Sequence, residues 1–338
     1  MVALLVGVFA GVSSAQTLVV LNKAEATASL IDLKSGKVRA TLPTAEGPHE
    51  AATSPDGRMV VAAGYGTADK RGSTLTLIDV ATARVIKVIQ LEAGVAPHGI
   101  RFISPATLLV TSETTKKLLI VDLERGAAVA SVETGQELSH MVAATPDGKR
   151  AFVASITSGT VTAIDVDKRS VLEVIKTGAG SEGIGVSPDG RTVFVVNRAA
   201  DTVSVIDVAT LKITATFDSP KFPIRVRFAP DGKIALISRA QSGDIAFVDA
   251  RTHAITKTMA MNVTGNAESG RLLQDFGKSP APIGIVITPD SKTAYVACAN
   301  ADVVAEVDLG KAVIVRWLKA GKEPDGMAYS PLVAGSGK

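Results

Sequence analysis

The chain has 338 residues, with 36 basic against 33 acidic side chains and a formal net charge of +3. That near-balance excludes a polybasic nucleic-acid binder, and a content of 46% hydrophobic and 20% charged residues excludes a disordered chain. A lone cysteine, Cys298, excludes an intrachain disulfide and any cysteine-rich metal centre.

Met1 to Ala15, MVALLVGVFAGVSSA, is apolar, uncharged and ends in small residues. It reads as a secretory signal cut before Gln16, which makes the protein periplasmic or secreted. The basic stretch that usually leads such a segment is missing, and the first basic residue is Lys23. No later apolar run reaches the roughly 18 residues of a membrane span. Residues 16–338 are expected to form one domain.

Three short strands open that domain: Thr17–Leu21, Thr27–Leu33 and Lys37–Leu42. The tetrad Ser54-Pro55-Asp56-Gly57 then recurs at Thr145-Pro146-Asp147-Gly148, Ser187-Pro188-Asp189-Gly190 and Ala229-Pro230-Asp231-Gly232. Weaker copies are Ser104-Pro105, Thr288-Pro289-Asp290-Ser291 and Ser330-Pro331. The prolines at 55, 105, 146, 188, 230, 289 and 331 are spaced by 50, 41, 42, 42, 59 and 42 residues. An aspartate closes an apolar run in each copy, at Asp32, Asp79, Asp122, Asp165, Asp207, Asp249 and Asp308, and is expected to bind backbone in the turn that follows.

One period resolves into four strands. Gly183–Val186 leads into a Pro-Asp-Gly turn, where proline presets φ and glycine accepts its positive value. Thr192–Val196 is almost wholly apolar, and Thr202–Asp207 and Lys212–Phe217 alternate as half-buried strands do. Such a unit cannot bury both faces alone, but seven stacked around an axis do. The expected fold is all-β: a seven-bladed β-propeller of four-stranded antiparallel blades. The C-terminal strand Asp325–Ser330 is expected to pair with the three N-terminal strands and close the ring.

The pattern Val186-Ser187-Pro188-Asp189-Gly190-Arg-Thr-Val-Phe-Val-Val-Asn197, followed by Asp201-Thr202-Val203-Ser204-Val205-Ile206-Asp207, resembles the YVTN-type β-propeller repeat. The resemblance spans residues 17–333 and specifies fold far more than function. Similar propellers include secreted proteins of unknown role, surface-layer proteins, the heavy chain of methylamine dehydrogenase, nitrous oxide reductase, lactonases and streptogramin lyase.

Propeller ligands gather where first strands begin, at the channel mouth. Six residues before each turn proline, or before Ser104 in the shortened copy, stand His49, His98, His140, Glu182, Ile224, Ile283 and Asp325. Three of the four histidines thus share one register in consecutive blades, with Glu182 after them and Asp325 before them once the ring closes. Three imidazoles and a carboxylate suit a divalent metal, Zn²⁺ or Cu²⁺, on His49, His98, His140 and Glu182, or general-base chemistry. Glu50, Arg101, Arg225 and Arg227 join the expected ligand-binding set, the arginines as partners for an anion or for the channel's own carboxylates. Against a dedicated site stands the plain fact that a wet channel mouth tolerates polar residues.

Two insertions, Gly64–Ser73 and Met261–Pro282, are expected to overhang that mouth as loops, with Ser269–Phe276 as a helical turn. His253 is expected on an outer strand at the surface, and Cys298 as an inert buried thiol. Asn262-Val263-Thr264 matches a glycosylation acceptor only weakly. Aromatic residues, 4% of the chain, are too sparse to stack single-stranded nucleic acid.

The leading functional expectation is a monomeric, non-enzymatic binding or scaffold propeller, accessory to a periplasmic redox or metal system, that takes a small molecule or protein partner at its mouth. The alternatives are a metal-assisted hydrolase or lyase of the lactonase or streptogramin-lyase kind, using the histidine–glutamate ring, and a subunit of a periplasmic dehydrogenase.

Overall fold

The computed structural model describes residues 16–263 and 276–337. Among them run twenty-eight strands, β1 to β28 in chain order, in seven four-stranded antiparallel sheets. Blade 1 is closed as expected: β28 (Pro324–Ser330) pairs antiparallel with β1 (Thr17–Asn22), beside β2 (Thr27–Asp32) and β3 (Lys37–Pro43). Blades 2 to 7 follow in order along the chain. Their first strands are β4 (Pro48–Thr53), β8 (Pro97–Phe102), β12 (Ser139–Ala144), β16 (Ser181–Val186), β20 (Pro223–Phe228) and β24 (Pro282–Ile287). With β28 these seven strands contact one another in a closed circle around the channel.

Burial follows from position in the blade. Second strands, such as β1 or Thr192–Asn197, carry neighbouring blades on both faces and read as apolar runs buried throughout. Fourth strands lie outermost, and in Arg84–Gln90 exposed residues alternate with half-buried ones and the buried Ile89. The core is therefore a set of inter-blade clusters, such as the one joining Val61, Leu75 and Ile89 of blade 2 to Ile100, Leu108 and Val121 of blade 3.

The turn chemistry appears as read. Each of the seven run-ending aspartates accepts a backbone N–H two or three residues on, from Ser35 to Asp32 at 2.7 Å and from Lys311 to Asp308 at 2.9 Å, for example. Cys298 is fully buried, and burial pushes its thiol pKa up.

Two expectations are corrected. Gly64–Ser73 is not a loop. It lengthens a hairpin, with β5 running from Met59 to Gly66 and β6 from Arg71 to Asp79, because pairing continues to Gly66 opposite Arg71. His253 does not lie on an outer strand. It occupies the turn before β23 (Ile255–Ala260) at φ 62°, half-buried, with its ring stacked on Phe217 and edge-on to Phe194. The residues of the signal segment, most of the expected helical turn at 269–276, and Thr264 of the glycosylation match lie outside the described residues.

Candidate functional site at the channel mouth

The seven first strands start alike. The residue before each is left-handed, at φ between 46° and 76°, although only Gly47 and Gly180 are glycines; the others are Ala96, Leu138, Phe222, Ala281 and Glu323. In a non-glycine this conformation costs about 1 kcal/mol, and a repeated hydrogen bond offsets it. Each of these carbonyls accepts the N–H of the residue just past the second strand or, in the lengthened hairpin of blade 2, near its end: Gly47 from Tyr65, Ala96 from Glu113, Leu138 from Ile156, Gly180 from Arg198, Phe222 from Ala240, Ala281 from Ala299 and Glu323 from Lys23.

The next feature is a bulge. Pairing skips His49 and Glu50 between Pro48 and Ala51, His140 between Ser139 and Met141, and Ile224 between Pro223 and Arg225. The other four first strands shift register at the same place. A bulge frees a side chain from the regular alternation and re-aims it. The residue after the bulged one is often glycine because the blades approach closely there: a Cβ on Gly326 would stand 2.2 Å from the His49 carbonyl oxygen.

Two rings of side chains result. The inner one is the expected register of His49, His98, His140, Glu182, Ile224, Ile283 and Asp325. The second is Lys23, Tyr65, Glu113, Ile156, Arg198, Ala240 and Ala299, which sequence reasoning missed. Its signal was available, since five of its members stand sixteen residues after their inner-ring partner and Glu113 stands fifteen after His98. Nothing in residue type marks the position, whose occupants range from lysine to alanine.

The rings enclose a cavity of about 800 Å³ lined by His49, His98, His140, Glu182, Arg225 and Asp325 of the expected set, and by Lys23, Tyr65, Glu113 and Arg198 of the second ring. The hairpin β5–β6 reaches over it with Thr67, Ala68 and Arg71. The three imidazoles converge: ring centroids are 5.0 Å apart for His49 and His98 and 3.6 Å for His98 and His140, with Tyr65 at 4.6 Å from His49 and edge-on to His98.

A chain of polar contacts crosses the mouth. Arg71 Nη1 donates to the Tyr65 hydroxyl at 2.9 Å, and that hydroxyl donates to Glu113 Oε2 at 2.6 Å. His140 Nδ1 bonds Glu113 Oε1, while its Nε2 lies 3.3 Å from Glu182 Oε1, off hydrogen-bond alignment. Glu182 is also held by Arg198 and, at 2.9 Å, by Arg225 Nη1. Arg225, 5% exposed, then reaches Glu50 Oε1 through Nε at 3.0 Å and Nη2 at 2.8 Å. Glu50 itself lies outside the cavity lining, as the carboxylate that anchors Arg225.

Burial and neighbours set the charges. Burial first, then the Lys23 ammonium, pulls the His49 pKa down to about 3. Burial and the charge of His140 push His98 well below the ordinary imidazole range. Burial also opposes charge on His140, but the carboxylates of Glu113 and Glu182 outweigh it and raise its pKa. Glu182 resists burial in the same way: His140 and the two arginines hold it at about 2. The buried Asp325 carboxyl is raised, with Lys23 Nζ 3.9 Å away working against its burial. Of the three imidazoles, His140 is therefore the one whose surroundings favour its protonated form, while burial favours the neutral form of the other two.

Arg101 and Arg227 do not join this cluster. They stand three residues along β8 and β20, in a layer whose other members are Ala52, Ala143, Gly185, Val286 and Ala328. Arg101 is exposed by surface area though surrounded by the channel wall, and Arg227 donates to the Ile285 carbonyl at 3.3 Å. Enclosure and the charge of the other arginine in this layer lower Arg101, while burial and Arg225 lower Arg227.

The expected metal set is regrouped by this geometry. His98, Glu113 and His140 each bring a ligand atom within 4.8 Å of the others. His49 Nδ1 faces the Gly47 carbonyl at 2.8 Å, and Glu182 is engaged by two arginines.

Fold and repeat together define a seven-bladed β-propeller consistent with the YVTN-type family, with a buried ionisable cluster at one mouth. Residues 103–270 match the model of the YNCE-like β-propeller family. Among solved structures, hydrazine synthase of Kuenenia stuttgartiensis aligns with a TM-score of 0.69 at 17% identity, over 84% of this chain and 90% of that one. At that identity the likeness is one of fold. No curated protein sequence matches this chain significantly.

Proposed function

We propose that the protein is an exported, monomeric, non-enzymatic binding propeller whose hairpin-lipped mouth takes a small polar ligand. One observation carries this reading. Among the described residues, Lys23 Nζ, His98 Nδ1, His140 Nε2 and Asp325 Oδ1 are buried without a hydrogen-bond partner, and all four residues line the same cavity. Buried polar atoms left unpaired cost about 1–3 kcal/mol each, so a ligand that meets several at once binds well. The lining carries Glu25, Glu46, Glu113, Glu182, Glu323 and Asp325 against Lys23, Arg71, Arg198 and Arg225, which favours a neutral or cationic ligand over an anion.

The test is a thermal-shift screen of amines, amino acids and sugars against the full chain, with EDTA present. Ala68 is exposed at the hairpin tip and lines the cavity, so Ala68→Trp narrows the mouth without touching the core. A compound that raises Tm in the wild type and not in Ala68→Trp supports the reading. Absence of any hit, or hits indifferent to Ala68→Trp, overturns it. Export is tested separately, by whether the mature protein recovered from the periplasm begins at Gln16.

A further inference from the structure

We propose that the mouth holds a divalent transition metal, Zn²⁺ or Cu²⁺, on His98, Glu113 and His140. This rests on the reading of the mouth as a binding site and names what the site takes first.

Three observations converge. The donor atoms of these residues, on adjacent blades 3 and 4, lie within 4.8 Å of one another, and all three residues are buried. Ligand bonds of about 2.0–2.2 Å to nitrogen and oxygen place donors of one ion some 3–3.5 Å apart, so a modest contraction closes the set. His98 Nδ1 is the second observation: in a residue 1% exposed, it has no hydrogen-bond partner among the described residues. Nothing among the described residues pairs with that nitrogen, and an ion beside it would.

The third is the outer arrangement. With the ion where His140 Nδ1 now meets Glu113 Oε1, His140 Nε2 stands 3.3 Å from Glu182 Oε1, near enough for a small turn of the ring to make a hydrogen bond to that carboxylate. Glu113 keeps its other oxygen, Oε2, for the Tyr65 hydroxyl at 2.6 Å. Ligating imidazoles and carboxylates are characteristically oriented by such second hydrogen bonds. Two imidazoles and one carboxylate select Zn²⁺ or Cu²⁺ over the oxygen-seeking Ca²⁺ and Mg²⁺. The remaining coordination positions face the cavity, where a polar ligand would complete them.

The experiment is calorimetric titration of the metal-stripped full chain with Zn²⁺ and with Cu²⁺, and visible spectroscopy with Co²⁺ as a reporter of imidazole coordination. One ion per chain is expected. His98→Ala should weaken binding at least about 100-fold, and Glu113→Gln about 10- to 100-fold. Tyr65→Phe, which keeps the ring packing, should weaken it by up to about 10-fold. His253→Ala, in a turn away from the mouth, should stay within about threefold of wild type. Thermal melts of the metal-free variants show whether each is folded, and Tyr65→Phe decides the matter if His98→Ala is not. Failure of the wild type to bind any of the ions overturns the inference, as does binding that survives His98→Ala or that His253→Ala abolishes. Because the thermal-shift screen is run in EDTA, a mouth-dependent hit there with no ion bound here would sink the metal and leave the binding reading standing.

Discussion

Two sectors of one ring invite comparison. Blades 1 to 5 present Asp325 with Lys23, His49 with Tyr65, His98 with Glu113, His140 with Ile156, and Glu182 with Arg198. Blades 6 and 7 present Ile224 with Ala240 and Ile283 with Ala299, packed with Ala281, Phe222 and Phe276 into an apolar cluster. The backbone is the same in both: a left-handed residue, the same hydrogen bond to its carbonyl and the same bulge. What differs is two side chains per blade. The frame is therefore indifferent to what it displays, and the sectors are stabilised by different physics. The apolar sector is held by burial against the base of the second insertion, where Phe276 meets Phe222 at 4.9 Å. The polar sector is held by mutual pairing, and it leaves atoms unpaired. A surface kept for stability alone would resemble blades 6 and 7.

The seam between the sectors is β28, the strand that contributes Asp325 and contacts β24. Truncation at residue 323 removes it and should have the largest effect, opening blade 1 and lowering Tm by many degrees. An unchanged melting curve would show that the ring does not depend on the clasp.

Within the ring, the two kinds of stabilisation should respond differently to a single substitution. Arg225→Leu strands Glu50 and Glu182 as buried carboxylates short of a partner, and should cost about 3–5 kcal/mol in urea unfolding. Ile283→Ala, in the apolar sector, should cost about 2–4 kcal/mol through the cavity it leaves. If Arg225→Leu were the milder of the two, the polar sector would be an ornament on an apolar frame.

The smallest effect separates the sectors by pH. His49 has its folded pKa depressed to about 3, from an unfolded value of 6.5. The unfolded chain therefore binds more protons, and stability is lost as pH falls below 6.5 toward 3. His49 is partly open to the cavity, so the loss at pH 5 should be about 1 kcal/mol, under the full linkage value of about 2. His49→Gln should recover it at pH 5 and change little at pH 8, as read from urea midpoints at the two pH values. His140, with its pKa raised, works in the opposite sense: its contribution is present below 6.5 and fades as pH rises through its folded value. Equal pH profiles for wild type and His49→Gln would show that His49 is not held neutral by its surroundings.

Much of this was legible along the chain. Period, Pro-Asp-Gly turns and alternation specify blades because each is a local consequence of backbone preference and burial pattern. The seven turn aspartates were readable for the same reason, since each bonds two or three residues away. The inner ring was readable because the turn proline marks its register. Even the hairpin at 64–73 was visible as extra length, though not as paired strand, because whether added residues continue a ladder depends on both sides agreeing in register.

Convergence was decided by the tertiary structure alone. Glu113 meets His140 across 27 residues, Arg225 meets Glu182 across 43, and Arg225 meets Glu50 across 175. Those separations are set by the angle between blades and the width of the channel, which no local pattern encodes. The charge of each imidazole is likewise a property of the ring. Three histidines in one register look identical in sequence, yet only His140, flanked by two carboxylates from other blades, has its pKa raised, while burial lowers those of His49 and His98. Sequence determined the frame because secondary structure answers to near neighbours; the site had to wait for the fold because electrostatics answers to whatever stands within a few ångströms, regardless of chain distance.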